Sequence, residues 1–182
     1  MLRRLVIIGL ALVFLLPSAF ADFRFEIGVN TPVYAGLASL ADMEQIGVGL
    51  GEGLDGVLPI LNLGLMLQSD LGPLKIGFGL KAQSYYLLAT IAYPVIQASL
   101  ELGPLIAEAS AGGYFYGLLV FGDELGGVTN YPIYLGDLSL WLGLGKKNTF
   151  RIGAGAVGAF GPDLDIGLTP FIAYAGLKVV LD

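Results

Sequence analysis

The sequence of 182 residues contains no histidine and no cysteine. Without histidine, neither a serine–histidine nor an aspartate–histidine hydrolytic site can be assembled. Without cysteine there is no disulfide framework and no thiol for lipid attachment, and metal centres held by histidine or cysteine are excluded as well. We therefore expect a protein that is not an enzyme and that carries no cofactor and no metal.

Positive charge is also scarce. Nine Lys and Arg residues face 15 Asp and Glu residues, and the formal net charge is −6. An acidic chain of this kind is a poor nucleic-acid binder. The glycine-rich stretch Gly47–Gly51 is not followed by a helix that begins with Lys and Ser or Thr, so no phosphate-binding loop is predicted.

One long apolar run lies at the N-terminus. Arg3 and Arg4 precede the apolar segment Leu5–Leu16, and Ala19–Ala21 has the small-residue pattern of a cleavage site. This order is typical of a secretory signal peptide, and the apolar segment is too short for a spanning helix. The sequence predicts that residues 1–21 are removed on export.

Beyond that segment, long apolar runs are lacking. The longest candidate, Tyr85–Leu100, is interrupted by Pro94 and Gln97, so nothing reaches the roughly 18 uninterrupted residues that a spanning helix needs. Yet the chain is 55% hydrophobic, only 13% charged, and contains 28 glycines. Membrane-like hydrophobicity without a spanning helix leaves the closed β-barrel as the remaining way to cross a bilayer.

The hydrophobicity alternates with a period of two, as in strands that have one apolar and one polar face. Eight segments show this alternation: Phe23–Asn30, Leu61–Gln68, Leu74–Gln83, Ile96–Leu102, Leu105–Gly112, Asp137–Leu142, Phe150–Ala156 and Phe171–Leu181. They predict an all-β fold in which residues 22–182 form one eight-stranded antiparallel up-and-down transmembrane β-barrel. A ten-stranded barrel is the alternative, because Ile46, Val48 and Leu50 alternate with glycines and could extend a strand or add one.

The connections between these segments alternate in length. Asp70–Pro73, Gly103–Pro104 and Gly145–Asn148 are short, whereas the connections at about 31–57, 87–93, 118–132 and 161–165 are mostly longer. Short turns on one side and longer loops on the other are typical of outer-membrane barrels, with both termini on the periplasmic side. A hairpin closing around Leu71-Gly72 places Lys81 opposite Asn62. One closing around Gly103-Pro104 places Glu108 opposite Ser99.

In these alternating segments and connection lengths the chain resembles the small eight-stranded outer-membrane proteins of the OmpA-barrel, OmpX and OmpW kind. The resemblance implies a location in the outer membrane of a diderm bacterium, with outer-membrane lipid as the surrounding partner. It also implies a structural, adhesive or narrow-passage role. The oligomeric state stays open.

The polar face of the predicted barrel carries five positive and four negative side chains, which nearly cancel. They are Arg24, Glu26, Lys75, Lys81, Glu101, Glu108, Asp137, Arg151 and Lys178. Because an unpaired buried charge is costly, this balance predicts a network of ion pairs that fills the lumen. We expect Lys178 to pair with Glu26 near the barrel seam. If the third turn has three residues, Arg151 faces Trp141, which allows a cation–π contact. A conducting or proton-relaying path is the alternative.

Acidic residues dominate the predicted outer loops, where Lys and Arg do not occur. They are Asp42, Glu44, Glu52, Asp55, Asp123, Glu124, Asp163 and Asp165. They could attract divalent cations or cationic surface ligands. Solubility and repulsion between loops is the interpretation we prefer, and Asp163-x-Asp165 is too short a motif to define a calcium site.

Three functions remain. The leading hypothesis is an outer-membrane barrel with a structural or surface-interaction role and a lumen plugged by side chains. The second is a narrow channel or a lateral path for small molecules. The third is a secreted soluble ligand-binding barrel, which would hold its apolar residues inside. The polar face, rich in glycine and poor in charge, suits a narrow lumen better than a solvent-facing coat.

Overall fold

The structure is a computed structural model that describes residues 22–38, 45–49, 59–85, 89–121, 124–145, 147–160 and 169–182. Within these ranges the chain forms nine strands: β1 (Asp22–Ala38), β2 (Gln45–Gly49), β3 (Ile60–Leu71), β4 (Leu74–Tyr85), β5 (Ala89–Leu102), β6 (Leu105–Phe121), β7 (Glu124–Leu144), β8 (Phe150–Phe160) and β9 (Thr169–Leu181). The predicted signal peptide lies outside the described residues. No helix in the described part of the chain is long and apolar enough to cross a bilayer.

Eight of these strands close into an antiparallel barrel. The sheet order is β2-β1-β3-β4-β5-β6-β7-β8-β9, and β1 also pairs with β9, which closes the ring. The short strand β2 pairs with Tyr34–Ala38, while β3 pairs with Asp22–Asn30 on the same edge of β1. β2 therefore continues the position of β3 beyond its end, and the barrel is eight-stranded, as predicted, rather than ten-stranded.

The alternation places apolar side chains outside and polar ones inside. On β3, Leu63, Leu65 and Leu67 are exposed, whereas Met66 and Gln68 are buried. On β1 the exposed apolar residues run from Phe23 to Val33, which spans about 33 Å along the strand at about 3.3 Å per residue. A tilt of about 40° projects this length to about 25 Å along the barrel axis, the height of the apolar band of a membrane barrel.

Two turns of identical sequence set the register. Leu71-Gly72-Pro73-Leu74 and Leu102-Gly103-Pro104-Leu105 each pair their two leucines, so Gly and Pro form a two-residue turn. Gly72 and Gly103 have φ of 74° and 65°, a conformation that L side chains rarely adopt and that the first position of a type II′ turn requires.

The predicted register is right for one hairpin and wrong for the other. Ser99 pairs with Glu108 as expected. Lys81 pairs with Gly64 and not with Asn62, because the first turn is centred on Gly72-Pro73 rather than on Leu71-Gly72. The error is two residues, which leaves every side chain on its expected face.

The ladders extend further than the alternation suggested. β6 and β7 pair up to Phe121 and Glu124, inside the connection placed at 118–132. Backbone hydrogen bonds do not depend on which side chains alternate, so a hairpin can continue where the apolar pattern has ended.

Candidate functional site: the charged lumen

All nine charged residues predicted for the lumen lie on strands of the closed barrel, at inward-facing positions. Arg24 and Arg151 are 1% exposed, and Glu26, Glu108 and Lys178 are also buried. The remaining four are half-buried; they are Lys75, Lys81, Glu101 and Asp137. The pairing between strands and the inward direction of alternate residues bring these side chains together.

Glu108 on β6 is the centre of the network. Its carboxylate accepts hydrogen bonds from Arg24 Nη2 at 2.9 Å and from Arg151 Nη1 at 2.7 Å. Lys178 Nζ donates to its second oxygen, and Ser99 Oγ lies 3.5 Å from the first. One glutamate thus joins cations of β1, β8 and β9 across the lumen.

Glu26 on β1 is the second acceptor. It pairs with Arg24, lies 3.7 Å from Lys178 Nζ, and accepts a hydrogen bond from Gln97 Nε2 at 3.2 Å. The expected Lys178–Glu26 pair is therefore present next to the seam, although Lys178 also binds Glu108. Lys178 is held between two carboxylates from opposite sides of the barrel.

Glu101 and Asp182 complete the network near the short turns. Glu101 lies 3.0 Å from Arg151 Nη2 and 3.4 Å from Lys75 Nζ. Asp182 lies 3.5 Å from Lys75 Nζ and 4.0 Å from Arg24 Nε. The sequence reasoning missed Asp182 because it follows the last alternating segment. Asp70, at the rim, also lies 4.0 Å from Lys75 Nζ, so the five inward cations face six carboxylates.

Aromatic side chains fill the lumen beside these charges. The prediction that Arg151 faces Trp141 is wrong, because five residues connect Leu144 to its partner Phe150, and Trp141 pairs with Gly153. Lys178 instead places its ammonium 4.5 Å from the centre of the Trp141 ring, whose Nε1 donates to Ser139 Oγ at 2.8 Å.

Asp137 on β7 has a different partner. Tyr174 Oη donates to its two carboxylate oxygens, at 2.9 and 3.0 Å. Lys81, the fifth inward cation, donates to Ser110 Oγ at 3.2 Å. These groups belong to the part of the lumen that lies farther from the short turns than the Glu108 network.

A small cavity remains between them. Its volume is about 40 Å³, and its walls include Lys81, Asp137, Tyr174, Gln97 and Asn62. That volume holds about two or three water molecules. Met66, Tyr93 and Val95 form a buried apolar cluster on the inner faces of β3 and β5. Ion-paired, aromatic and apolar side chains therefore all project into the lumen of the described barrel.

The acidic outer-loop residues are mostly outside the described part of the chain. Glu124 begins β7 and pairs with Phe121 at the tip of a hairpin, so it is a strand residue and not a loop residue. The other seven lie outside the described residues: Asp42, Glu44, Glu52, Asp55, Asp123, Asp163 and Asp165. Attraction of cations to these loops stays a prediction.

No protein-family model matches the chain, and no curated protein matches it. Among solved structures it is similar to Neisserial surface protein A (NspA), with a TM-score of 0.48 and 9% identity, covering 87% of this chain and 97% of that one. It is also similar to the N-terminal β-barrel domain of Pseudomonas aeruginosa OprF, with a TM-score of 0.43, 13% identity, and coverage of 88% and 99%. The outer membrane protein OprG from Pseudomonas aeruginosa has a TM-score of 0.33 and 12% identity, with coverage of 88% and 96%.

Proposed function

We propose that this protein is an integral outer-membrane β-barrel with a closed lumen and a structural or surface-interaction role, and that it is not an enzyme. The observation that carries the proposal is the polarity of the barrel. Its outer surface is apolar, whereas its interior holds the ion-paired network centred on Glu108.

The apolar outer surface supports insertion in a bilayer. Leu138 and Leu140 on β7 are 68% and 60% exposed, and at least one exposed leucine, isoleucine or phenylalanine side chain occurs on each of the eight barrel strands. At about 25 cal/mol per Å² of apolar area removed from water, covering such a surface with lipid is strongly favourable. A soluble binding barrel would need the opposite polarity, with the charges facing solvent.

The paired charges and the 40 Å³ cavity support a closed lumen rather than an open pore. A permeating solute would have to separate Lys178 from Glu108 and Arg24 from Glu26, and breaking buried pairs is costly. Such a barrel is suited to stiffening the membrane or to presenting its loops at the cell surface.

A lateral path for small molecules is the second candidate. One observation favours it: the β5–β6 ladder is interrupted between Ala92 and Val95, around Pro94, which has no N–H to donate. Gly112 and Gly113 lie on the opposite side of this interruption, where the Pro94 carbonyl and the Tyr93 ring leave no room for a side chain on Gly112.

We propose in addition that residues 1–21 direct export and that both termini face the periplasm. The three short turns lie at the same end of the barrel as Asp22 and Asp182, and short turns are the periplasmic feature of such barrels.

Cell fractionation and planar-bilayer recordings test the proposal. We expect the mature chain in the outer-membrane fraction, extracted only with detergent, and no well-defined single-channel steps from the purified protein. Recovery in the periplasm without detergent would contradict membrane insertion. Regular conductance steps would contradict the closed lumen and favour a channel, whereas uptake of small apolar molecules without such steps would favour the lateral path.

A further inference from the structure

Lys81 differs from the other four inward cations. Among the described residues it makes no ion pair within 4.0 Å, whereas Arg24, Lys75, Arg151 and Lys178 each contact at least one carboxylate. Its Nζ donates instead to Ser110 Oγ at 3.2 Å. A lysine ammonium has three donors, so this contact leaves donors available.

An acid lies one strand beyond Ser110, on β7. Ser110 is paired with Asp137 on β7, and side chains directly opposite each other have Cβ atoms about 4.5–5.5 Å apart. The ammonium of Lys81 thus reaches the neighbour of Asp137 without reaching its carboxylate. Two polar groups that lie near each other without direct contact are the kind that a water molecule bridges.

Gln97 supplies an independent observation on the same cavity. Its side chain is 2% exposed, and its Nε2 donates to Glu26. Its Oε1 accepts no hydrogen bond from the described residues, although Gln97 lines the cavity. A buried amide oxygen of this kind needs a donor.

We propose that the cavity is a built hydration site, in which two or three ordered water molecules bridge Lys81 to Asp137 and donate to Gln97 Oε1. The proposal rests on the closed lumen proposed above. The cavity of about 40 Å³ has room for that number, and each water finds the two to four polar partners that a buried water requires.

The charges of the wall select water over an ion. Three carboxylates line the cavity, those of Glu26, Glu108 and Asp137, together with the ammonium groups of Lys81 and Lys178. An anion would meet the carboxylates and a cation would meet the ammonium groups. Water both donates and accepts, so it satisfies both kinds of group without adding charge. It also completes the pairing of the lumen, because Lys81 and Asp137 become a water-mediated ion pair.

A high-resolution crystal structure of the full mature chain tests the hydration site directly. Growing the crystals with rubidium bromide supplies a cation and an anion whose anomalous scattering would reveal a bound ion. We expect two or three water peaks at about 2.7–3.2 Å from Gln97 Oε1, Lys81 Nζ and the Asp137 carboxylate, with no anomalous peak. A cavity without density, or one holding rubidium or bromide, would overturn the hydration site. Either result would leave the closed lumen intact, since only conductance steps contradict that.

A double-mutant cycle tests the bridge in solution. Lys81→Met and Asp137→Asn should be coupled by about twofold or more in the unfolding equilibrium constant, as expected for residues of one hydrogen-bonded network. The matched control pairs Lys81→Met with Asp70→Asn, the same acid-to-amide change at the rim of the barrel, and should show no coupling. Additive effects of Lys81→Met and Asp137→Asn would refute the bridge. If either variant fails to fold, the crystal structure of the unaltered protein still decides.

Discussion

Replacing Glu108 by glutamine removes one charge and leaves the shape of the side chain almost unchanged. In the folded barrel this carboxylate accepts from Arg24, Arg151 and Lys178. A neutral amide in its place leaves three buried cations with fewer anionic partners, and it turns amide hydrogens towards them. We therefore expect Glu108→Gln to destabilise the barrel more than any other single acid-to-amide change in the lumen.

The remaining contacts limit the size of the effect. Without Glu108, Lys178 still has Glu26 at 3.7 Å and Arg151 still has Glu101 at 3.0 Å, while Arg24 keeps Glu26. No cation is left fully unpaired, so the cost is that of breaking one buried pair, about 3–5 kcal/mol, and not three times that amount. This is a large part of a typical stability of about 5–15 kcal/mol.

Urea unfolding of the protein in lipid vesicles measures this loss of stability. Folded and unfolded protein are separated by their different mobility on a gel to which the samples are applied without boiling. At a slope of about 1–3 kcal/mol/M, the midpoint should fall by about 1 M or more. The matched control is Glu101→Gln. That side chain is 18% exposed, and both of its cations keep another carboxylate: Lys75 has Asp182 at 3.5 Å, and Arg151 has Glu108 at 2.7 Å. We expect about 1 kcal/mol for the control.

The result that refutes this reasoning is a Glu108→Gln variant within about 1 kcal/mol of the unaltered protein, or a control that loses as much as Glu108→Gln does. Either would mean that water in the lumen screens these charges and that Glu108 is not the centre of the network.

Three further experiments test the outer surface and the interior. Leu140→Arg should destabilise the barrel by about 2–4 kcal/mol in the same urea assay, and Leu144→Arg, at the end of β7, by about 0–1 kcal/mol, since the cost of a charge facing lipid falls towards the interface. Equal effects of the two variants would contradict a lipid-facing apolar band on the outer surface. Trp141 is the single tryptophan and is 3% exposed inside the lumen, so brominated lipids should quench its fluorescence weakly; a Trp141→Phe, Leu140→Trp variant should be quenched strongly, and equal quenching would place Trp141 outside. Tyr174→Phe removes the donor to both oxygens of Asp137 and should cost about 1.5–3 kcal/mol of unfolding free energy; no loss would show that the hydroxyl is replaced by water.

The face of each residue was predictable from the sequence because strand alternation has a fixed period. Arg24 and Glu26 lie inside, and Leu63 and Leu65 outside, in agreement with the pattern. The register was less secure, since a shift of two residues preserves every face. The sequence did contain the signal that would have corrected it. The tetrapeptide Leu-Gly-Pro-Leu occurs at 71–74 and again at 102–105, and both copies form the same turn.

The contacts across the lumen were not predictable in the same way. Arg24 and Glu108 are 84 residues apart, on β1 and β6, and no ladder joins those two strands. Which inward side chains meet depends on the tilt and stagger of the closed barrel, and these follow from all eight registers together. An error of two residues in the register of one hairpin, or in the length of the 145–149 connection, therefore changes which side chains meet in the lumen. It does not change whether a side chain faces the lumen or the outside. This is why the cation over Trp141 is Lys178 and not Arg151.

The charge balance of the interior shows how far composition alone can lead. Five cations against four acids predicted near-neutrality, and the structure adds two acids at the rim, Asp70 and, from just beyond β9, Asp182. Asp182 is partly exposed, so it can neutralise Lys75 without full loss of hydration. The deeply buried pairs, by contrast, have no such freedom. The need for a charged partner thus increases with burial, from Asp182 and Lys75 at the rim to Glu108 inside. This order is expected if the network closes the lumen rather than conducts through it.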